Sequence, residues 1–145
     1  MDTTFFNRLA KSNASTICRN GIRDFVVENP SYMKDLITFA TDLENKNQYK
    51  GVWIIEMLAE THTEMLLPFI DQIADVASKY KHESAIRGVS RTILFLTNSK
   101  KISLTESQQE KFIETSLDRL IGDYKVAPKA FAMYALGHYA QKKSG

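Results

Sequence analysis

Histidine and cysteine are the side chains that most often ligate metal ions, and this 145-residue chain contains three of the former and one of the latter. The run His82-Glu83-Ser84-Ala85 begins like the His-Glu-x-x-His helix of zinc proteases. The position of the second histidine is occupied by Ile86, so this run supplies no ligand pair. We expect His82 to cap a helix instead, and the histidines predict no metal site.

The sequence does not predict a catalytic nucleophile either. Cys18 is the single cysteine, so the chain has neither an internal disulfide nor a cysteine-based zinc site. It lies beside Ile17 and Ile22 in an apolar pattern, where a thiol is usually inert. The sequence contains no glycine-rich phosphate loop and no Gly-x-Ser-x-Gly element. These observations predict a protein without catalytic residues and without a cofactor.

One carboxylate has an unusual setting. Glu56 is the only ionisable residue between positions 52 and 59, in a segment that is apolar almost all round and therefore typical of a central helix. A carboxylate there either has a raised pKa or is paired with a base. We favour a structural pair with Arg87, Arg91 or Lys50. A role as an acid–base group or as an anchor for a polar ligand stays open.

The charge of the chain is unevenly distributed, although the net charge is only +2. Residues 24–75 contain ten acids and three bases, whereas residues 76–101 contain six bases and one acid. We call residues 79–101 the basic segment. Such a segment can attract phosphate or an acidic protein face. The alternative, which we favour, is that these are solvated charges on loops and helix ends.

Helical periodicity dominates the rest of the sequence. Apolar residues recur at 3.6-residue spacing in at least six segments, and no segment alternates with the period of a strand. The pattern predicts an all-α chain of about seven or eight helices. Asn29 is the predicted N-cap of one helix, and Thr105 and Gln108 have the spacing of a capping box. Pro68 should kink a helix or follow a short first turn, and Pro128 should begin the last helix.

A two-helix unit occurs about three times along the chain. Its clearest copy begins Leu66-Leu67-Pro68, passes through a polar break and continues into a second helix containing Arg87-Gly88-Val89. The latter run aligns with Lys50-Gly51-Val52 and with Lys129-Ala130-Phe131. The unit resembles the HEAT repeat, and the whole chain is similar to small bacterial HEAT-like proteins of unassigned function.

The resemblance implies a single domain that folds as an α-α superhelix, a right-handed solenoid of the HEAT/armadillo type. Residues 1–30 would form capping helices, and residues 31–60, 63–98 and 105–141 would form three hairpins that stack into a continuous core. Small residues at aligned positions would let adjacent second helices approach closely. These residues are Gly51, Gly88 and Ala130.

In HEAT arrays the second helices line the concave surface, so the alignment implies one patch that combines aromatic and basic side chains. Such a patch suits the binding of a peptide, a phosphate or a nucleic-acid backbone. Trp53 also fits a core position, which we favour. The predicted candidate binding surface comprises Lys50, Trp53, Glu56, Arg87, Ser90 and Arg91.

The function predicted from this resemblance is a non-catalytic protein–protein interaction or scaffold module whose partner the sequence does not name. The alternative is binding of nucleic acid or phosphate through residues 79–101. A HEAT-like DNA-repair glycosylase is compatible with the basic segment and Trp53, but the chain is short for one. A lyase of the adenylosuccinate lyase type is disfavoured, because its Ser-Ser-x-Met-Pro-x-Lys-x-Asn loop is absent.

The sequence also bears on location. No apolar run approaches the ~18–20 residues that span a bilayer. The first residues include an acid at position 2 and no long apolar stretch, which is not the pattern of a secretory signal. We therefore expect a cytoplasmic protein that contacts neither a membrane nor a metal.

Overall fold

A computed structural model describes residues 3–121 of the chain, with side chains as far as residue 118. Within this range the protein has seven α-helices and no β-strand, which confirms the all-α prediction for this part of the chain. The predicted last helix, which would begin at Pro128, lies outside the described residues. The helices are α1 (Thr3–Ala10), α2 (Thr16–Glu28), α3 (Met33–Thr41), α4 (Gln48–Thr61), α5 (Ile70–Val76), α6 (Glu83–Asn98) and α7 (Glu106–Ile121), with 3₁₀ turns at Pro30–Tyr32 and Thr63–Phe69.

The helices form two layers, because each one packs against the helix two places further along the chain. The first layer contains α1, α3, α5 and α7, and the second contains α2, α4 and α6. In the first layer the Gln108 side chain donates to Asp71 at 3.1 Å, and Lys111 donates to Asp75 at 2.6 Å. These partners advance together along both helices, so α5 and α7 run in the same direction.

The second layer repeats this arrangement. The rings of Tyr49 and His82 stack with centroids 4.0 Å apart, and further along the same two helices Glu56 pairs with Arg91. The partners again advance together, so α4 and α6 are parallel. Equivalent helices of successive pairs therefore lie side by side within each layer, and α3 and α4 also pack directly against each other across the layers.

Helix α4 is central, as its apolar sequence predicts. It packs against α3 within its hairpin, against α2 and α6 within its layer, and against α1 and the 3₁₀ turn at Thr63–Phe69. Burial of apolar surface at about 25 cal/mol per Å² makes such a helix a main source of stability. The largest fully buried side chains in the described core are Leu9, Ile22, Val26, Leu36, Ile37, Ile54, Leu58, Leu66, Ile70, Leu96 and Phe112.

Two glycines allow close packing of helices, but they face different neighbours. A Cβ at Gly88 would lie 2.7 Å from Cγ1 of Val52, so Gly88 lets α6 approach α4 as expected. A Cβ at Gly51 would lie 2.9 Å from Cβ of Ala40. Gly51 therefore serves the contact of α4 with α3 inside one hairpin, which the alignment of second helices did not predict. Ala130 lies outside the described residues.

Asn29 takes the predicted N-cap position, directly before the 3₁₀ turn Pro30–Tyr32, but its side chain does not cap that turn. Its side-chain amide and its backbone N–H both donate to the Phe25 carbonyl, each at 2.9 Å, so Asn29 ends α2. The last carbonyls of a helix lack partners within the helix, and an asparagine amide can donate to them. Pro30 then begins the short 3₁₀ turn that leads into α3.

Other helix boundaries follow their sequence signals. The Thr105 hydroxyl accepts from the Gln108 backbone N–H at 3.1 Å, while the Gln108 side chain accepts from the Thr105 N–H at 2.9 Å. These reciprocal bonds confirm the capping box. Pro68 lies in the 3₁₀ turn at Thr63–Phe69, and α5 begins at Ile70. Pro68 thus lies within the short 3₁₀ turn that precedes α5, and neither kinks an α-helix nor follows the turn as predicted.

The C-terminal end of α3 is closed by side chains from elsewhere in the chain. The Tyr80 hydroxyl donates to the Ala40 carbonyl at 2.5 Å, and the Gln48 amide donates to the Asp42 carbonyl at 2.7 Å. Burial raises the pKa of the Tyr80 phenol far above its usual value, so the phenol stays protonated and continues to donate. Tyr80 thereby ties the second hairpin to the first.

Candidate functional site

A cavity of about 170 Å³ opens on the second layer, where α2, α4 and α6 lie side by side. Three arginines, a tryptophan and a carboxylate meet there, and such a mixture is unusual away from a binding site. We call it the arginine cavity. Its lining residues are Arg19, Trp53, Glu56, Ser84, Arg87, Gly88 and Arg91.

Helix geometry places these side chains together. On α6, Ser84, Arg87 and Arg91 are spaced by three and four residues, so they share one face. On α4, Trp53 and Glu56 are three residues apart and share the facing side. The site therefore follows from the parallel packing of α4 and α6, which brings these two faces to the same height.

Glu56 and Arg91 form the ion pair that the sequence predicted. Arg91 Nε lies 3.1 Å from Glu56 Oε1, and its guanidinium also reaches Glu60 at 3.7 Å. Arg91 also lies over the Phe95 ring, 5.4 Å from its centroid. Burial raises the pKa of the Glu56 carboxyl, and the positive charge of Arg91 opposes that rise. These contacts give the pair a structural role and hold Arg91 in place.

Trp53 is half-buried in the wall of the cavity and not in the core that we favoured for it. Its ring packs edge-on against Tyr49 with centroids 5.2 Å apart. The Arg19 guanidinium lies over the indole, 5.7 Å from its centroid, in a cation–π arrangement. Because Tyr49 in turn stacks on His82, the indole is held by a row of rings.

The structure brings together four of the six predicted surface residues: Trp53, Glu56, Arg87 and Arg91. Lys50 lies elsewhere, because its ammonium donates at 2.6 Å to the carbonyl of Ala10, the last residue of α1. A cation is favourable at that helix end. Ser90 is buried, and its hydroxyl donates to the Ile86 carbonyl at 2.8 Å.

Sequence reasoning missed Arg19 and Ser84. Residues 1–30 were predicted only as capping helices, and none of them was placed on the candidate binding surface. The sequence does contain a signal, because Arg19, Trp53 and Arg87 follow one another at steps of 34 residues. The alignment of Lys50 with Arg87 uses a step of 37 residues instead, so it did not match Trp53 to Arg87 or to Arg19.

The basic segment does not form one continuous surface in the described structure. Lys79 and Lys81 line a cavity of about 730 Å³ together with Lys46 and Glu44. Arg87 and Arg91 line the arginine cavity. Lys100 and Lys101 line a third cavity, of about 290 Å³, that also includes Glu60. The six bases are thus divided among three places, and acids lie among them.

The other side chains considered for chemistry, His82 and Cys18, lie outside the arginine cavity. The His82 ring accepts a hydrogen bond from the Ser84 N–H at 3.1 Å, which confirms its predicted capping of α6. Cys18 is half-buried on α2. Ile17, predicted in the same buried stripe, is 88% exposed, because five residues of helix rotate it by about 140° from Ile22.

Among the described residues, no three histidine, cysteine, aspartate or glutamate side chains are grouped as a metal ion would need. None of the helices within residues 3–121 combines the length and apolar character that a bilayer crossing requires.

Comparison with known proteins finds no matching family model, no matching curated protein and no matching solved structure. The function is therefore inferred from the residues of the arginine cavity and from the helices that position them.

Proposed function

We propose that this chain is a non-catalytic interaction module that binds a partner protein through the second layer, at the arginine cavity. The proposal includes a HEAT-like, right-handed α-α superhelix with α1 and α2 as its cap, in one cytoplasmic domain. The alternation of helices between two layers and the parallel course of α4 and α6 support the superhelix.

The observation that carries the proposal is the arginine cavity itself. Tryptophan and arginine are the residue types most enriched among those that dominate binding energy at protein interfaces. Here Trp53, Arg19 and Arg87 come from three successive helices and face one opening. A structural core would surround the indole with apolar side chains, whereas this indole is half-buried, lies under the Arg19 guanidinium and lines a cavity that also contains the Glu56 carboxylate.

A photo-cross-linking experiment tests which layer binds. A photoreactive amino acid replaces Glu60, which is exposed on α4 beside the cavity, and in a second protein it replaces Lys34, which is exposed on α3 in the opposite layer. Both positions leave the three arginines intact. We expect a discrete protein adduct in native cells from position 60 and none from position 34.

A charge reversal then tests the contribution of the cavity. Arg87 is exposed and makes no ion pair within 4 Å of a described side chain, so Arg87→Glu should weaken the adduct while thermal stability changes little. Adducts from position 34 alone, or adducts from position 60 that Arg87→Glu leaves unchanged, would contradict the proposal.

Binding of nucleic acid is the second candidate, because Lys46, Lys79 and Lys81 line the largest of the cavities described above. Phosphate contacts made by lysine release counterions, so such binding weakens steeply with added salt. If nuclease treatment removes the cross-linked species, or if Lys79→Gln with Lys81→Gln abolishes binding more strongly than Arg87→Glu, the nucleic-acid candidate takes precedence.

A further inference from the structure

The positive charge in the arginine cavity is only partly balanced by its own residues. Arg91 is engaged by Glu56 and Glu60. Arg19 and Arg87 make no ion pair within 4 Å of the side chains described between residues 3 and 118. Two guanidinium groups, on α2 and on α6, therefore flank the opening with no described carboxylate within 4 Å, and both act at longer range on the Glu56 carboxyl, opposing the rise of its pKa.

The Arg19 side chain includes a donor that needs a hydrogen-bond acceptor. Its Nε is buried and has no hydrogen-bond partner among the described residues, which is costly for a charged donor. The same guanidinium is held over the indole of Trp53, and the ring of Tyr49 packs edge-on against that indole. The donor is thus fixed in position before any ligand arrives, which lowers the entropic cost of binding.

From this geometry we propose, building on the function proposed above, that the arginine cavity binds one phosphoryl group carried by a side chain of the partner protein. Arg19 and Arg87 would donate to the phosphoryl oxygens from two sides, and Trp53 would form the wall beside them. A phosphate monoester carries about −1.5 to −2 charges near neutral pH, which matches two guanidinium groups better than a single carboxylate does.

The surroundings favour a single phosphoryl group over a polynucleotide. Glu56 lines the cavity and Glu60 lies beside Arg91, so a chain of phosphates that continued along the groove would meet carboxylates. The lysines at positions 79, 81, 100 and 101 line other cavities. A volume of about 170 Å³ also accommodates one such group and not an extended backbone.

The chain contains its own reporter, because Trp53 is its only tryptophan and lies in the cavity wall. Intrinsic fluorescence and the NMR signal of the indole N–H are followed during titration. The probes are a short Gly/Ser peptide with one phosphoserine, the same peptide with serine or aspartate instead, inorganic phosphate, and oligothymidylate. We expect a saturable response to the phosphopeptide, at least about tenfold tighter than to the aspartate peptide.

Variants identify the donors. Arg19→Gln and Arg87→Gln should each weaken phosphopeptide binding by about tenfold or more, since each removes a charge-assisted hydrogen bond. Arg23→Gln is the matched control, because Arg23 is also on α2 but pairs with its neighbour Asp24 at 3.0 Å and does not line the cavity. It should bind like the unmodified protein. If Arg19→Gln unfolds, the exposed Arg87 still provides the test.

Each other outcome overturns the inference. If the phosphopeptide gives no response, or if all three variants lose the same amount of phosphopeptide affinity, the cavity is not a phosphoryl site. If inorganic phosphate binds as tightly as the phosphopeptide, the ligand is free phosphate and not a phosphorylated partner. If oligothymidylate binds more tightly and its binding weakens steeply with added salt, the ligand is a nucleic acid. If the phosphopeptide fails while the position-60 adduct persists, the inference fails and the proposed function stands. If the adduct is absent while the phosphopeptide binds, the proposed function fails.

Discussion

Gly88 lies so close to Val52 that a methyl group at position 88 would come within 2.7 Å of the Val52 Cγ1. This contact sets the separation of α4 and α6, because the two backbones meet where one of them has no side chain. The valine cannot easily turn away, since a β-branched side chain in a helix has one strongly preferred rotamer. The contact therefore also controls the geometry of the arginine cavity, which both helices line.

The first prediction follows from this contact. Gly88→Ala should lower the free energy of unfolding by about 1–3 kcal/mol, because overpacking outweighs the better helix propensity of alanine. Gly21→Ala is the matched control, since its Cβ would lie 3.6 Å from the flexible Arg8 guanidinium. It should raise stability by about 0.5–1 kcal/mol. Urea unfolding measures both, and effects of the same sign would refute the close contact.

The second prediction concerns pH. Burial raises the pKa of the Glu56 carboxyl in the folded protein, whereas the unfolded chain has the ordinary value of 4.5. As pH rises above that value, the unfolded carboxyl ionises first and the folded one later, so ionisation favours unfolding. The unmodified protein should therefore lose stability relative to Glu56→Gln as the pH rises from about 4.5 through the raised pKa of the folded protein, after which the difference should level off. Urea midpoints at a series of pH values give the measurement.

Glu60→Gln is the control for this prediction. Glu60 reaches the same Arg91 at 3.7 Å, but 55% of its side chain is exposed. Exposed ion pairs contribute about 0–1 kcal/mol to the free energy of unfolding, so Glu60→Gln should change stability little, and by nearly the same amount at every pH. A pH profile shared by the Glu56 and Glu60 variants would show that burial of Glu56 is not the cause.

The third prediction concerns the start of α6. His82 accepts from the Ser84 N–H and stacks on Tyr49. His82→Ala removes both contacts and should cost about 1 kcal/mol or more, whereas His82→Asn keeps an acceptor and should recover most of the capping energy. Thermal unfolding of the two variants separates capping from stacking. Equal losses in both would assign the stability of this helix end to the ring contact.

The fourth prediction compares two aromatic residues. Phe112 is fully buried, and Phe112→Ala should cost about 3–5 kcal/mol. Trp53 is half-buried in the cavity wall, so Trp53→Ala should cost clearly less and still remove the response to phosphopeptide. Iodide should quench the Trp53 emission at least partly. A blue-shifted, unquenched emission with a loss equal to that of Phe112→Ala would place the indole in the core.

Local signals in the sequence predicted the helices well. Periodicity indicated α4 as a central helix, and the Thr105–Gln108 spacing marked the start of α7, because both depend on residues close in sequence. The side chain of Asn29 was misassigned because an asparagine amide both accepts and donates. The sequence does not show whether it caps the helix that follows or ends the helix before it. Here it ends α2.

The candidate site was predictable only along each helix. Trp53 and Glu56 share a face of α4, and Arg87 and Arg91 share a face of α6, as helical spacing dictates. Which residues of other helices join them depends on how the hairpins stack. Lys50 lies away from the cavity because its ammonium donates to the Ala10 carbonyl at the end of α1. This partner is 40 residues away, so no local sequence pattern reveals it.

The cavity belongs to no single hairpin, since Arg19, Trp53 and Arg87 come from three successive second-layer helices. The width of its opening therefore depends on two rotations, that of α4 relative to α2 and that of α6 relative to α4. Small changes in the two rotations add together in that width. A ligand that contacts both Arg19 and Arg87 would act as a brace across the stack. Occupancy of the cavity would then fix the rotations between α2, α4 and α6, and changes in those rotations would in turn alter the affinity of the cavity.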